Sequence, residues 1–307
     1  MSETRYHVIL NANSGTAHSL GVTKESLQAL FESHGLNAEI DADSDKDFDD
    51  RMKAAVDSPA NIIVAAGGDG TITGLADVII ETDKALAILP LGTVNALAKD
   101  LNIPLDLEEA VAALATGHPM QIDVGEVNGK AFLHKVVVGV IPGMAAAREH
   151  IRGSDDPTAK VGLIRYMFRR IQRAKRIAVV FERADGSRTI ERLHSLAVSS
   201  NAYDQGLGRF FSRSKLDQGF LTLYTLRHFR TWDFFRLVFG MMFGKWQSDP
   251  ELNIESMQSL TVDFRKPQMQ VMFDGEVMLL DTPMKFTIRP LALTVIVPET
   301  VSTEIAA

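Results

Sequence analysis

Cysteine is absent from the 307 residues, which removes disulfide frameworks, thiolate nucleophiles and cysteine-based zinc or iron–sulfur sites, and fits a reducing compartment. Long apolar runs are absent as well. No uncharged stretch reaches the ~18 residues that a membrane span needs, and the opening Met1-Ser2-Glu3-Thr4-Arg5-Tyr6-His7 lacks the basic start and apolar core of a secretory signal. The expectation is a soluble, cytoplasmic protein. Positive charge is in deficit: 32 Lys and Arg against 39 Asp and Glu leave a net charge of −7, which argues against general nucleic-acid binding. The 8 histidines form no pair at metal-binding helical spacing, and no Gly-x-Ser-x-Gly elbow occurs.

What is present is ordinary globular material, 46% hydrophobic and 23% charged, in a chain about twice the usual domain size of roughly 150 residues. Two domains are expected. In the first part, three apolar runs each lead into a turn of small residues and then a helical pattern: His7 to Leu10 into Asn11-Ala12-Asn13-Ser14-Gly15, Asn61 to Ala66 into Gly67-Gly68-Asp69-Gly70-Thr71, and Ala85 to Pro90 into Leu91-Gly92-Thr93. Such a succession predicts a parallel α/β sheet with all three turns at its carboxyl edge. From about Asp123 the punctuation changes to Asn128-Gly129, Asp185-Gly186 and Asp274-Gly275, each between strand-like segments. These dipeptides supply the positive φ of tight hairpins, so the remainder reads as mainly antiparallel β with helical inserts at roughly 157–176 and 229–246. The expected domains are 1–122, rejoined by about 290–307, and 123–289.

Consecutive glycines let a backbone approach an anion closely, and the helix after them turns its free N–H groups and positive dipole end toward it. The Gly67 to Thr71 turn has this character. It is no Walker A loop, because the Lys-Ser/Thr pair is missing, and Gly68-Asp69-Gly70 is followed by Thr73 where a dinucleotide fingerprint has its third glycine. A simple strand-to-helix turn capped by Asp69 is the other reading. Gly92, Thr93 and Asn95 repeat the arrangement one strand later, and Asn11, Ser14 and Gly15 add small polar groups after the first strand. Converging loops favour a nucleoside triphosphate, while capping of a helix near Val94 explains Thr93 and Asn95 equally well.

Taken together, Gly-Gly-Asp-Gly-Thr at 67–71, Leu-Gly-Thr-x-Asn at 91–95 with Ala98 and Asp100 following, and Asp-Gly-Glu at 274–276 resemble the bacterial diacylglycerol kinase-type lipid kinases, relatives of the sphingosine and ceramide kinases. The resemblance extends from the Asn11 to Gly15 loop to the closing Ile288 to Val295. It implies ATP-dependent transfer of the γ-phosphoryl group to a lipid hydroxyl, a Rossmann-like nucleotide domain and a mainly antiparallel β-sandwich domain. By the same resemblance Gly67, Gly68, Asp69, Gly70, Thr71, Gly92, Thr93 and Asn95, with Asn11, Ser14 and Gly15, hold the nucleotide. Glu276 then matches the acceptor of the lipid hydroxyl proton, and Asp69 matches a carboxylate of catalysis or Mg²⁺ binding. Bare Asp69 repels phosphates unless Mg²⁺ or a proton intervenes. For Asp274 the hairpin turn is the favoured role. The chain departs from the family at Ala12, at Thr73-Gly74 and at Lys215-Leu216-Asp217-Gln218-Gly219-Phe220, where relatives hold a structural Mg²⁺; Asp217 is the acid that survives as a metal candidate. An NAD kinase is an alternative, opposed by the 274–276 motif, and a non-catalytic lipid- or nucleotide-binding regulator is another.

Two segments suit a lipid surface. Lys160, Arg165, Arg169, Arg170, Arg173, Lys175 and Arg176 fall within seventeen residues that contain no acid, and a cationic amphipathic helix there predicts peripheral contact with an anionic membrane. Helical spacing also aligns Phe229, Trp232, Phe235, Phe239, Phe243 and Trp246, a pattern of interfacial helices that more often faces protein. The acid-rich stretch Asp41, Asp43, Asp45, Asp47, Asp49 and Asp50 reads as a solvated loop and helix start, since it has neither the glycine turn nor the closing Glu of a calcium loop.

Overall fold

Strands Ile62–Gly67 (β3) and Ala85–Pro90 (β4) are buried along their whole length, as expected of parallel strands covered on both faces. They belong to a computed structural model that describes residues 4–11, 21–139, 169, 175–207, 211–228 and 231–299. The chain divides into two units, Met1–Ile122 with Leu291–Ala307, and Asp123–Pro290.

In the first unit, β1 (Arg5–Leu10) pairs in parallel with β2 (Asn37–Asp41) on one side and β3 on the other, β3 pairs with β4, and β4 with the end of β16 (Met284–Val297), giving the order β2-β1-β3-β4-β16. The chain therefore winds one way from β1 to β2 and the other way from β3 to β4. The carboxyl ends of β1 and β3 flank the reversal, where open α/β sheets bind ligands. Helix α1 (Lys24–Ser33) starts in a reciprocal capping box between Thr23 and Ser26 and buries Leu27 and Phe31; the Phe31 ring meets Tyr6 of β1 edge-on at 6.0 Å. Helices α2 (Phe48–Asp57), α3 (Asp69–Ile79), α4 (Ala96–Asp100) and α5 (Leu107–Thr116) complete the unit. The acid-rich stretch is the end of β2, a loop and the start of α2: Asp41 and Asp43 each accept the backbone N–H two residues on, and Asp47 caps α2.

The second unit is antiparallel. One sheet has the order β12-β11-β10-β7-β14-β15, built from Leu252–Met257, Leu221–Leu226, Ser195–Ser200, Lys135–Gly139, Gln268–Phe273 and Glu276–Asp281. The other runs from the start of β16 through β13 (Ser259–Phe264) and β8 (Ile177–Arg183) to β9 (Arg188–Leu193). Both sheets feed one core, in which Phe132 packs edge-on against Phe273 at 6.1 Å and Phe286 at 6.2 Å. The three dipeptides close hairpins as expected. Asn128-Gly129 joins β5 (His118–Val127) to β6 (Lys130–Phe132) with both residues at positive φ, and Asp274-Gly275 does the same between β14 and β15.

Of the helix expected over 157–176, Arg169 and residues 175–176 are described, all exposed; the remaining residues, including Lys160, Arg165, Arg170 and Arg173, lie outside the described residues, as does Phe229. The second insert is α6 (Thr231–Met242), followed by a short 3-10 turn, Trp246–Ser248. Its aromatic stripe does not face the sheet. Trp232, Phe235, Phe239 and Phe243 are exposed, and Trp246 turns inward, among Tyr203 and Tyr224. The charged residues of α6 are paired, Arg236 with Asp233 and with buried Asp249.

Candidate functional site

Asn11 leaves β1 with its backbone N–H donated to Ala66 O at 2.9 Å and its side-chain amide donated to Thr71 Oγ1 at 3.0 Å. That bond ties the end of the first strand to the first turn of α3. Thr71 is buried, and its side chain lies so close over Gly67 that a Cβ there would come within 2.6 Å of Thr71 Oγ1. Gly67 is therefore required by packing within its own turn.

The second and third turns meet back to back. A Cβ on Gly92 would lie 2.6 Å from Gly68 Cα and 2.7 Å from Asn95 Oδ1. Across this contact the Asp69 carboxylate accepts Asn95 N–H at 3.0 Å and Ala96 N–H at 2.7 Å, capping α4, while Leu91 N–H donates to Gly67 O at 3.0 Å. Asn95 adopts a left-handed backbone (φ 52°), which asparagine tolerates better than most residues. Its side chain accepts Gly92 N–H at 2.9 Å and donates to Gly92 O at 3.0 Å. Both capping expectations are thus changed in detail. Asn95 stands at the N-cap of α4 without a side-chain cap, and Asp69 caps α4 instead of its own helix. No local pattern signals a cap supplied from so far upstream.

Burial pushes the Asp69 carboxyl above the ordinary carboxylate range, and the N–H groups of Ala96 and Asn95 offset this only in part. At the start of α3 the N-cap is Gly68, with no side-chain cap bond. The first turn of an eleven-residue helix therefore points its N–H groups out of the glycine turn, the arrangement that suits an anion. Gly70 is half-buried beside it and Thr93 is exposed. Ser14 and Gly15 lie outside the described residues.

In the second unit Asp274 has two functions. It occupies the left-handed first position of the hairpin turn (φ 46°), and its buried carboxylate accepts three successive backbone N–H groups, from Leu133 at 2.7 Å, His134 at 2.9 Å and Lys135 at 2.8 Å. The same bend is gripped from its other side by fully buried Arg213, whose Nη1 donates to Leu133 O and Ser200 O, each at 2.8 Å. Burial, together with Arg213 and Lys135, holds His134 well below its ordinary pKa, so its ring is neutral against the Tyr203 hydroxyl at 3.2 Å. Glu276 begins β15 immediately after the turn and is exposed.

Asp217 is exposed, and no group of three or more His, Asp or Glu able to hold a metal ion occurs among the described residues. The loop around it is ordered by hydrogen bonds. Buried Asp123 accepts Gly219 N–H at 2.6 Å and donates its own N–H to Leu216 O at 2.7 Å, and Asn201 Oδ1 accepts Gln218 N–H at 3.2 Å. Asp123 and Arg213, which sequence reasoning missed, order these loops through bonds to the backbone.

Residues 5–127 match the family model of the diacylglycerol kinase catalytic domain. The diacylglycerol kinase of Staphylococcus epidermidis is 24% identical over 281 residues, 89% of this chain and 85% of that protein. A probable lipid kinase YegS-like of Pseudomonas syringae pv. syringae is 42% identical over 79 residues, 25% of this chain and 26% of that protein. Among solved structures, a putative diacylglycerol kinase from Bacillus anthracis str. Sterne shares the fold with a TM-score of 0.70 at 20% identity, covering 97% of this chain and 98% of the other.

Proposed function

We propose, from the premise that this chain belongs to the bacterial diacylglycerol kinase-type lipid kinases, that it transfers the γ-phosphoryl group of ATP to the hydroxyl of a diacylglycerol-like lipid. The carrying observation is the meeting of three strand ends at the start of α3, through Asn11 with Thr71, Gly68 with Gly92, and Asp69 with Asn95 and Ala96. Phosphoryl transfer asks little covalent chemistry of a protein and much positioning. In this reading the uncapped N–H groups of α3 bind the phosphates, and the Asp69 brace keeps the two glycine turns in register.

The lipid oxygen forms a bond to the γ-phosphorus, the bond from that phosphorus to the β,γ-bridging oxygen breaks, and ADP leaves. The hydroxyl proton needs an acceptor. We assign it to Glu276, whose carboxylate is exposed and carries no turn duty, while Asp274 beside it is committed to three backbone N–H groups. Magnesium ordinarily keeps several waters and binds one or two carboxylates together with substrate phosphates. The described residues supply no protein cage for it, and both Asp69 oxygens already accept backbone N–H groups. In this reading Mg²⁺ would arrive with the nucleotide and screen its phosphates from Asp69.

The cationic run Lys160 to Arg176 supports peripheral association with an anionic leaflet, and no helix of the described residues is long and apolar enough to cross a membrane. Incubation with γ-labelled ATP, mixed lipids and NAD tests the assignment. Label is expected in the organic phase; label in NADP, or in neither product, overturns it.

A further inference from the structure

Helix α6 carries an aromatic side that is turned outward. Its charged residues, Asp233 and Arg236, are paired: Arg236 Nη1 lies 3.0 Å from Asp233 Oδ1, and its Nε and Nη2 reach the buried Asp249 carboxylate at 2.7 and 2.8 Å. Asp233 is buried with them. Every charge of the helix is thus neutralised within its own unit, and the outward side carries Trp232 (74% exposed), Phe235, Val238, Phe239 (63%) and Met242. Phe243 continues the face. At the next residue, Gly244, a Cβ would come within 2.5 Å of Leu207 N, so the chain turns against Leu207, which is itself largely exposed. A contiguous apolar surface on this scale marks an interaction site.

We infer that this face inserts into the headgroup and acyl boundary of an anionic lipid bilayer. The inference rests on the lipid kinase reading for the source of the lipid, and on charge for the choice of occupant. The acid-free cationic run ends at Arg176, whose Nη1 lies 3.4 Å from His228 Nε2, and His228 lies just upstream of α6 in the chain. Exposed Lys175 stands beside Arg176, and exposed Lys245 follows the helix. Cations therefore flank an uncharged aromatic face at both ends in a chain whose net charge is −7. Anionic headgroups above hydrocarbon match cations beside aromatics. Trp232, near the start of the helix, is of the type that sits at such boundaries.

The test uses the full chain without nucleotide, so that it reads binding independently of turnover. Vesicles of phosphatidylcholine with phosphatidylglycerol are sedimented with the wild type and with a Trp232→Ala, Phe239→Ala double variant, both substitutions at exposed positions that leave the core intact. The variant is expected to lose at least tenfold in partitioning. In a Trp246→Phe background Trp232 is the remaining tryptophan, and its fluorescence is expected to shift to the blue and to be quenched by brominated lipid. Unquenched Trp232, equal partitioning of wild type and variant, equal binding to phosphatidylcholine alone, or a Trp232-dependent dimer that ignores vesicles each overturns the inference. Vesicle binding by a protein that phosphorylates no lipid sinks the kinase reading and leaves this one standing.

Discussion

The Asp69 carboxylate caps the helix that follows Asn95, accepting Asn95 N–H at 3.0 Å and Ala96 N–H at 2.7 Å. An aspartate in the middle of a glycine turn thereby serves the neighbouring turn. Asp69→Asn keeps one acceptor oxygen and sets an amide NH₂ against a backbone donor, which is expected to cost about 1–3 kcal/mol. The pH dependence has a definite sign. Burial raises the folded-state pKa of Asp69, so its contribution to stability is largest below the unfolded carboxylate pKa and declines as pH rises through the folded value. The variant has no such decline. The gap between wild type and Asp69→Asn in urea titrations is therefore expected to narrow from pH 4 to pH 7, and a widening gap would contradict the burial account.

Gly92 and Gly129 separate a glycine needed for contact from one needed for its backbone angle. At Gly92 a Cβ meets Gly68 Cα at 2.6 Å, while at Gly129 nothing lies within 4 Å but φ is +81°. Gly92→Ala forces two backbones apart and is expected to cost about 1–3 kcal/mol. Gly129→Ala costs a similar amount, about 1–2 kcal/mol, through left-handed strain. Their effects on nucleotide binding differ: calorimetry with a non-hydrolysable ATP analogue is expected to show at least tenfold weaker binding for Gly92→Ala and no change for Gly129→Ala. Equal affinity in the two variants would remove the glycine contact from the nucleotide site.

These features show where sequence reasoning stops. Apolar runs such as Ile62 to Ala66, and dipeptides such as Asn128-Gly129, declare strands and turns because the residues that decide them are adjacent. The convergence of three loops follows from the parallel sheet they imply. By contrast, Asp69 capping α4, Asp123 holding the Gly219 loop and Arg213 gripping Leu133 are contacts between residues far apart in the chain, and no periodicity encodes them. The aromatic stripe of α6 was legible as a stripe, but its outward orientation was not. The pairing of Arg236 with Asp249 was equally hidden, because Asp249 lies beyond the helix.

Asp274 and Glu276 are two residues apart and are expected to fail in opposite ways. Asp274→Asn leaves the N–H groups of Leu133, His134 and Lys135 with a poorer acceptor in a buried bend, a loss of about 2–4 kcal/mol. Glu276→Gln alters an exposed side chain, so stability is expected to stay within about 0.5 kcal/mol of wild type. Its turnover is expected to fall on the order of 100-fold or more, with ATP affinity retained. Chemical denaturation and lipid phosphorylation assays on both variants check this, and full turnover in Glu276→Gln would free that residue from the proton-accepting role.

Tyr224 gives the second unit an alkaline signature. Its hydroxyl accepts Tyr203 N–H at 3.0 Å, its ring lies 5.3 Å from Tyr203 and 5.9 Å from Trp246, and burial pushes its phenol up to about 12. An acid whose pKa is raised on folding destabilises the fold once the unfolded chain begins to lose that proton. The penalty starts near pH 10, grows until the folded group also ionises near pH 12, and amounts to about 2–3 kcal/mol. Tyr224→Phe has no such penalty but leaves Tyr203 N–H without this acceptor, a cost of about 1–2 kcal/mol at neutral pH. The variant is therefore expected to be the less stable protein at pH 8 and to draw level with wild type above pH 11. Urea midpoints for the pair at intervals from pH 8 to 11.5 measure the difference directly, and a gap that stays constant would mean that the phenol ionises alike in the folded and unfolded chains.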